Sequence, residues 1–182
     1  MNLIINVLCA VCGAVAALVT YILVRRILLK GQKEEIIKKI QECGIVGLGG
    51  ASFPTHIKLT PPPGKVAEYL LINGAECEPF LTSDYRLMLE QPEQVLIGAK
   101  IMMKALDVTK CRFGVEENKP EAIAKLKTYA AQYPEIEIVP LKKKYPQGGE
   151  KQLIEALTGR RVPSMGLPID AGAVVQNCGT AL

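Results

Sequence analysis

Between Val66 and Leu157 the chain alternates between two hydrophobic periods, and this alternation restricts its possible folds more than any other feature. Val66 to Ile72 is an apolar run of strand length, closed by Asn73-Gly74. A helix is expected from Pro92 to Leu106 and a strand from Cys111 to Val115. Pro120 to Tyr133 reads as a second helix, with Ile123, Leu126 and Ala130 on one apolar face, and Ile136 to Val139 as the next strand. A further helix, Glu150 to Leu157, opens after Gly148-Gly149 and stops at Gly159. Strands that take turns with helices bury their faces against one another, so the pattern predicts an α/β sheet with covering helices.

Ahead of this pattern lies a segment of another kind. From Leu3 to Val24 no residue is charged, and only Asn6, Thr20 and Tyr21 interrupt the apolar run. As a helix it would cover a hydrocarbon core of about 30 Å. Arg25, Arg26 and Lys30 follow the run rather than precede it, and no small-residue cleavage pattern intervenes, so an uncleaved transmembrane anchor is expected with everything after it in the cytoplasm. Cys9 and Cys12 share one face of this helix with Gly13, Ala16 and Ala17, a small-residue surface suited to helix packing; a redox pair is the competing use. The chain thus divides into residues 1–30, anchor and basic flank, and 31–182, one soluble α/β domain. That domain opens on a short amphipathic helix, Gln32 to Cys43, carrying Ile36, Ile37 and Ile40 and ended by Gly44.

Charge and ligand inventory narrow the chemistry. The chain has 22 Lys+Arg against 18 Asp+Glu, with three of the cations beside the apolar run, so the remainder is nearly neutral and no nucleic-acid surface is expected. Lys142, Lys143 and Lys144 read as a solvated loop, or as an attraction for a phosphate-bearing ligand. The 6 cysteines have no recurrent spacing and His56 is the single histidine, which leaves no local zinc or four-cysteine cluster site. No metal is expected, and cofactors other than metals are favoured.

Two stretches concentrate the chemistry. Gly47-Leu48-Gly49-Gly50-Ala51-Ser52-Phe53-Pro54-Thr55 is neither a P-loop nor a dinucleotide fingerprint, since no Gly-Lys-Ser/Thr follows it and Ser52 stands where a third fingerprint glycine would be. It is either a tight turn or a row of bare backbone amides able to bind a phosphate or admit a flat ring, with Lys58 adding a charge. Asn73-Gly74-Ala75-Glu76-Cys77-Glu78-Pro79 places an amide and two carboxylates at a strand end, where open α/β sheets bind ligands, although such acids are also ordinary turn chemistry.

These two stretches occur in order with Tyr145-Pro146-Gln147-Gly148-Gly149-Glu150-Lys151 and with Gly159-Arg160-Arg161-Val162-Pro163 through Gly166-Leu167-Pro168 to Gln176-Asn177. Together, from about Ile37 to Leu182, they resemble the flavin-binding, NADH-oxidising subunit of the Rnf-type electron-transport complex and, more distantly, the flavoprotein subunit of complex I. The resemblance implies an open, Rossmann-like flavin mononucleotide (FMN) fold that accepts electrons from NADH and passes them toward iron–sulfur carriers. It implies that Gly47, Gly49, Gly50 and Lys58 hold the flavin's phosphate side, that Asn73 and Glu76 contact its ribityl chain and ring, and that Asn177 and Thr180 close the site. Phe53 and Glu78 would face the nicotinamide nucleotide, and Glu150 would orient it over the flavin; a first-turn glutamate is also favoured by the helix dipole whatever the function.

The sequence departs from the complex I pattern at Ala75 and Gly149, each standing where that pattern has a carboxylate. The family's glycine-rich N-terminal domain is replaced by the anchor, and its cysteine-rich segment would lie beyond Leu182. The domain is therefore expected to be incomplete at its C-terminus and to oxidise NADH only in a longer or assembled form, with iron–sulfur clusters outside this chain. Expected partners are the other membrane and iron–sulfur subunits, at the inner (plasma) membrane. A cobalamin-reducing relative would share the motifs, and a non-catalytic membrane-tethered scaffold is the reading from another class.

Overall fold

The computed structural model describes residues 32–182. The anchor read from Leu3 to Val24, with Cys9 and Cys12, lies outside the described residues, and among those described no helix is long and apolar enough to cross a membrane. The first element, α1 over residues 32–42, coincides with the expected amphipathic helix. After the glycine loop come α2 (Thr55–Lys58), β1 (Tyr69–Gly74), α3 (Ser83–Glu90), α4 (Pro92–Leu106), β2 (Cys111–Glu116), α5 (Pro120–Ala130), β3 (Ile136–Leu141) and α6 (Glu150–Thr158). A short 3-10 turn at Pro168–Ala171, β4 (Ala173–Asn177) and a 3-10 turn at Cys178–Ala181 complete it.

Four strands form one sheet in the order β3-β2-β1-β4, and every pairing is parallel. The chain adds strands in one direction from β1 to β3 and then returns to the other side of β1 with β4. The reversal creates a switch point between β1 and β4, the place where open parallel sheets leave a crevice at their carboxyl ends. Asn73 and Asn177 face each other in register at that point.

Alternating strand residues feed two cores, as the pleat requires. On one face Leu70, Ile72, Phe113, Val115 and Val174 pack with Met88 of α3, Leu96 and Met103 of α4, and Leu126 of α5. On the other, Leu71, Leu141, Ala173 and Val175 pack with Leu153, Ile154 and Leu157 of α6. Gly114 makes room for this second layer, since a Cβ there would sit 2.7 Å from a Leu141 methyl.

Element boundaries differ from expectation for local reasons. The first strand begins at Tyr69, not Val66, because the Pro-Gly break runs on until Glu68 and Tyr69 reach the carbonyl of Gly172 at the start of β4. Helix α5 stops at Ala130 rather than Tyr133, since the residue before Pro134 is driven out of the helical region. Strand β3 runs to Leu141 through Pro140, which an edge strand tolerates.

Candidate functional site

A cleft of about 700 Å³ lies beside β4, on the face that α6 covers only in part. Its walls are Gly47 to Phe53, Ile57 and Lys58 of α2, Thr60 to Pro62, Asn73, Gly148 to Glu150, Leu167 to Ile169, and Ala173 to Val175 with Asn177. The size falls within the range of small-molecule sites, about 300–1,000 Å³.

The glycine loop is closed at its base by the Gly47 amide donating to Phe53 O at 2.8 Å, backed by the Thr55 amide donating to Ile45 O. It is pinned from below by the Leu48 amide, which donates to Thr180 Oγ1 at 2.8 Å. Gly49 takes φ +73, and a Cβ there would stand 3.0 Å from Asn177 Nδ2, so glycine is required both by the backbone and by the closeness of the C-terminal segment. The amides of Gly49, Gly50, Ala51 and Ser52 make no hydrogen bond to any described residue. Such uncommitted N–H groups, clear of side chains, are suited to an anionic oxygen.

Lys58 reaches across the cleft. Its Nζ donates to Glu150 Oε1 at 2.9 Å and to Val175 O at 3.2 Å. Glu150 opens α6 after the Gly148-Gly149 step, and Gly148 is held against β1: a Cβ on it would meet Ala75 O at 2.7 Å. Asn73 fixes the same step, with Nδ2 donating to Gly148 O at 2.9 Å while Oδ1 accepts from the Ala75 amide. Asn177 does the equivalent on the other strand. Its Oδ1 accepts from the Gly179 amide and its Nδ2 donates to Asp84 Oδ2, both at 2.7 Å. Burial, then the nearby charge of Glu76, lift the Asp84 carboxyl above its ordinary value against the bonds from Asn177 and Cys178.

Gly47, Gly49, Gly50, Phe53, Lys58, Asn73, Glu150 and Asn177 are thus brought together on one cleft, while Glu76, Glu78 and Thr180 do not line it. Thr180 is buried beneath the loop it holds. Glu76 faces α3: its carboxylate accepts from the Asp84 and Tyr85 amides and pairs with Lys119 Nζ at 2.8 Å. Burial opposes ionisation of Glu76, but Lys119 and these two amides outweigh it and hold the carboxyl below the usual range. Glu78 is exposed on the turn before α3.

Sequence reasoning missed the apolar wall: Ile57, Pro61, Pro62, Leu167 to Ile169 and Ala173 to Val175. The prolines read as a break, and Val174-Val175 lie inside a motif that gives no sign of being a strand. Lys142 to Lys144 form an exposed loop and are not part of the cleft.

The family model for the Nuo51 FMN-binding domain matches residues 40–182. The chain is 54% identical over 149 residues to a component of the proton-translocating ferredoxin:NAD(+) oxidoreductase complex of Clostridium ljungdahlii, a match covering 82% of this chain and 32% of that protein. It is 53% identical over 148 residues to the corresponding component of the Na(+)-translocating ferredoxin:NAD(+) oxidoreductase complex of Acetobacterium woodii, covering 81% of this chain and 33% of that one. It therefore spans about a third of the length of these relatives. Among solved structures, an NAD+-reducing NiFe-hydrogenase in the H2-reduced state superposes with a TM-score of 0.67 at 25% identity, over 82% of this chain and 29% of that one. With the matched segment running from the end of α1 through every strand of the sheet, the chain belongs to the Nuo51 FMN-binding domain family and is similar to the flavin-binding components of Rnf-type complexes.

Proposed function

We propose that the cleft holds FMN and serves as the electron-exchange site between a nicotinamide nucleotide and iron–sulfur carriers on other parts of a membrane-bound Rnf-type assembly. The observation that carries this reading is the convergence of four uncommitted amides, from Gly49 to Ser52, with the Lys58 ammonium on one wall of a cleft of about 700 Å³. Those groups fit a phosphate, and the apolar stretch Val174, Val175, Leu167 and Ile169 fits a flat ring.

FMN, when bound, supplies the exchange of an electron pair with a nicotinamide and of single electrons with a carrier. The chain's own residues bind and orient. Gly49 keeps the backbone open, Lys58 supplies a cation, and Asn73 and Asn177 hold the Gly148 step and the loop at their distances. Glu150 and Phe53 stand at the cleft where a second ligand would lie against the first. Glu150 orients that ligand by hydrogen bonding, because hydride transfer needs no general base. Glu76, Thr180 and Asn177 act through the scaffold: Glu76 caps α3, while Asn177 and Thr180 fix the glycine loop. Glu78 is left for a nucleotide reaching outside the cleft.

The reading includes the anchor. Leu3–Val24 would span the membrane, with Arg25, Arg26 and Lys30 keeping the domain on the cytoplasmic side, in keeping with relatives named for ion-translocating complexes. Partner subunits would supply the iron–sulfur clusters and the ion path.

Purification of the full chain and titration with FMN test the proposal. Stoichiometric flavin that survives gel filtration is expected, together with its loss in Gly49→Val. A folded chain that binds neither FMN nor riboflavin would leave the scaffold reading in its place.

A further inference from the structure

Of all the residues lining the cleft, only Lys58 and Glu150 carry a charge, and they are bonded to each other at 2.9 Å. Both are partly open to solvent, with side chains 32% and 40% exposed. Neither charge is therefore locked in a buried pair, and the polar side of the cleft is neutral as it stands. A phosphate entering it meets an ammonium that already has a carboxylate partner. Of the three N–H groups on Lys58, one is taken by Glu150 Oε1 and one by Val175 O. Phosphate and Glu150 carry like charges and cannot both lie close to this single cation without cost.

We propose that Glu150 is an internal competitor for Lys58: the phosphate of the flavin nucleotide takes over the ammonium, and the displaced carboxylate is released into the cleft for the second ligand. This rests on the proposed function for the same site. The bond from Lys58 to Val175 O is what makes the exchange a swing of one partner and not of both. It tethers the ammonium to the edge strand, so that the glutamate is the group that leaves. The release leaves a carboxylate at the mouth of α6, able to accept hydrogen bonds from hydroxyl groups of a nucleotide. In the flavin-free chain the same carboxylate is occupied.

Riboflavin, which has the ring and ribityl chain but no phosphate, separates this from other roles of the two residues. In titrations of the full chain, Glu150→Gln is expected to tighten FMN by about two- to fivefold, the range open to a partly exposed ion pair, and to leave riboflavin unchanged. Lys58→Met is expected to weaken FMN about tenfold, again without effect on riboflavin, because a charge-assisted bond is lost. In the Lys58→Met background, Glu150→Gln should no longer tighten FMN, since the competition has lost its object.

Circular dichroism of each variant verifies the fold, and Glu150→Ala repeats the test should glutamine re-form the bond. Equal changes for FMN and riboflavin, or a tightening that persists without Lys58, would overturn the proposal while leaving flavin binding intact. A parent chain that binds neither flavin removes the proposed function and this inference together.

Discussion

On one face of the sheet Leu70, Ile72, Phe113, Val115 and Val174 are covered by α3, α4 and α5, and on the other Leu71, Ala173 and Val175 meet only α6 before the cover gives way to the cleft. The strands are the same, and neighbouring residues have opposite fates. Val174 is core on the closed face, whereas the carbonyl of Val175 receives the Lys58 ammonium. Partial cover is what leaves an edge strand's backbone within reach of a ligand. The closed face stores the stability, and the open face holds the glycines and the charge pair at modest cost.

The largest expected effect lies on the closed face. Phe113 is fully buried between β2 and the helices, and Phe113→Ala should lower unfolding free energy by about 3–5 kcal/mol in a denaturant titration. A loss below about 1 kcal/mol would mean that this layer is not the main store.

Gly98 links the faces. It lies on α4, and a Cβ there would stand 1.6 Å from the carbonyl oxygen of Ala181, in the 3-10 turn that carries Thr180. Gly98→Ala should cost about 1–3 kcal/mol by overpacking and should also weaken flavin, because the turn that pins the glycine loop is displaced. Unaltered flavin affinity despite the lost stability would show that the faces are independent.

On the open face the balance reverses. Gly49→Val should cost only about 1–2 kcal/mol through its positive φ, yet abolish FMN binding, as read by melting temperature and titration on one sample.

The strand ends give the smallest change, visible only as a pH dependence. Burial lifts the Glu116 carboxyl, Lys119 and Lys143 oppose this, and Glu76 adds to it; Glu116 Oε1 has no partner among the described residues. With the folded value raised, the group favours the fold below its unfolded value and loses that advantage as pH rises through the folded one. Glu116→Gln should therefore be slightly more stable than the parent near neutral pH and not at about pH 4. Glu76, held below its usual value, has the opposite sign: its contribution is present above the unfolded value and is lost as pH falls through the folded one. Unfolding curves at the two pH values check both signs.

The long, periodic elements were legible in the sequence. Helix α4 begins and ends where its pattern does, since Pro92 starts it and Asp107 takes the left-handed cap. Helix α3 was not legible because only Met88 of its eight residues is buried, and the carboxylate that caps it belongs to Glu76, outside the helix. Strand β4 escaped because its five residues are specified by β1, about a hundred positions earlier. Within the site, the glycine loop and the two asparagines stood out by residue type. The ion pair between Lys58 and Glu150 did not, since nothing in either neighbourhood announces a partner 92 positions away. Glu76 misled for the inverse reason: it stands beside the motif's glycines, but its backbone directs it toward the helix.

The bond between the Leu48 amide and Thr180 Oγ1 closes a separation of 132 residues. Ring closure over such a length gains nothing until the intervening sheet has drawn its ends together. On a ribosome the loop at residues 47–53 would be made early and wait for residue 180 before taking its shape. The binding site is then the last part of the domain to mature, and a nascent chain acquires its flavin pocket only after it has already become a folded sheet.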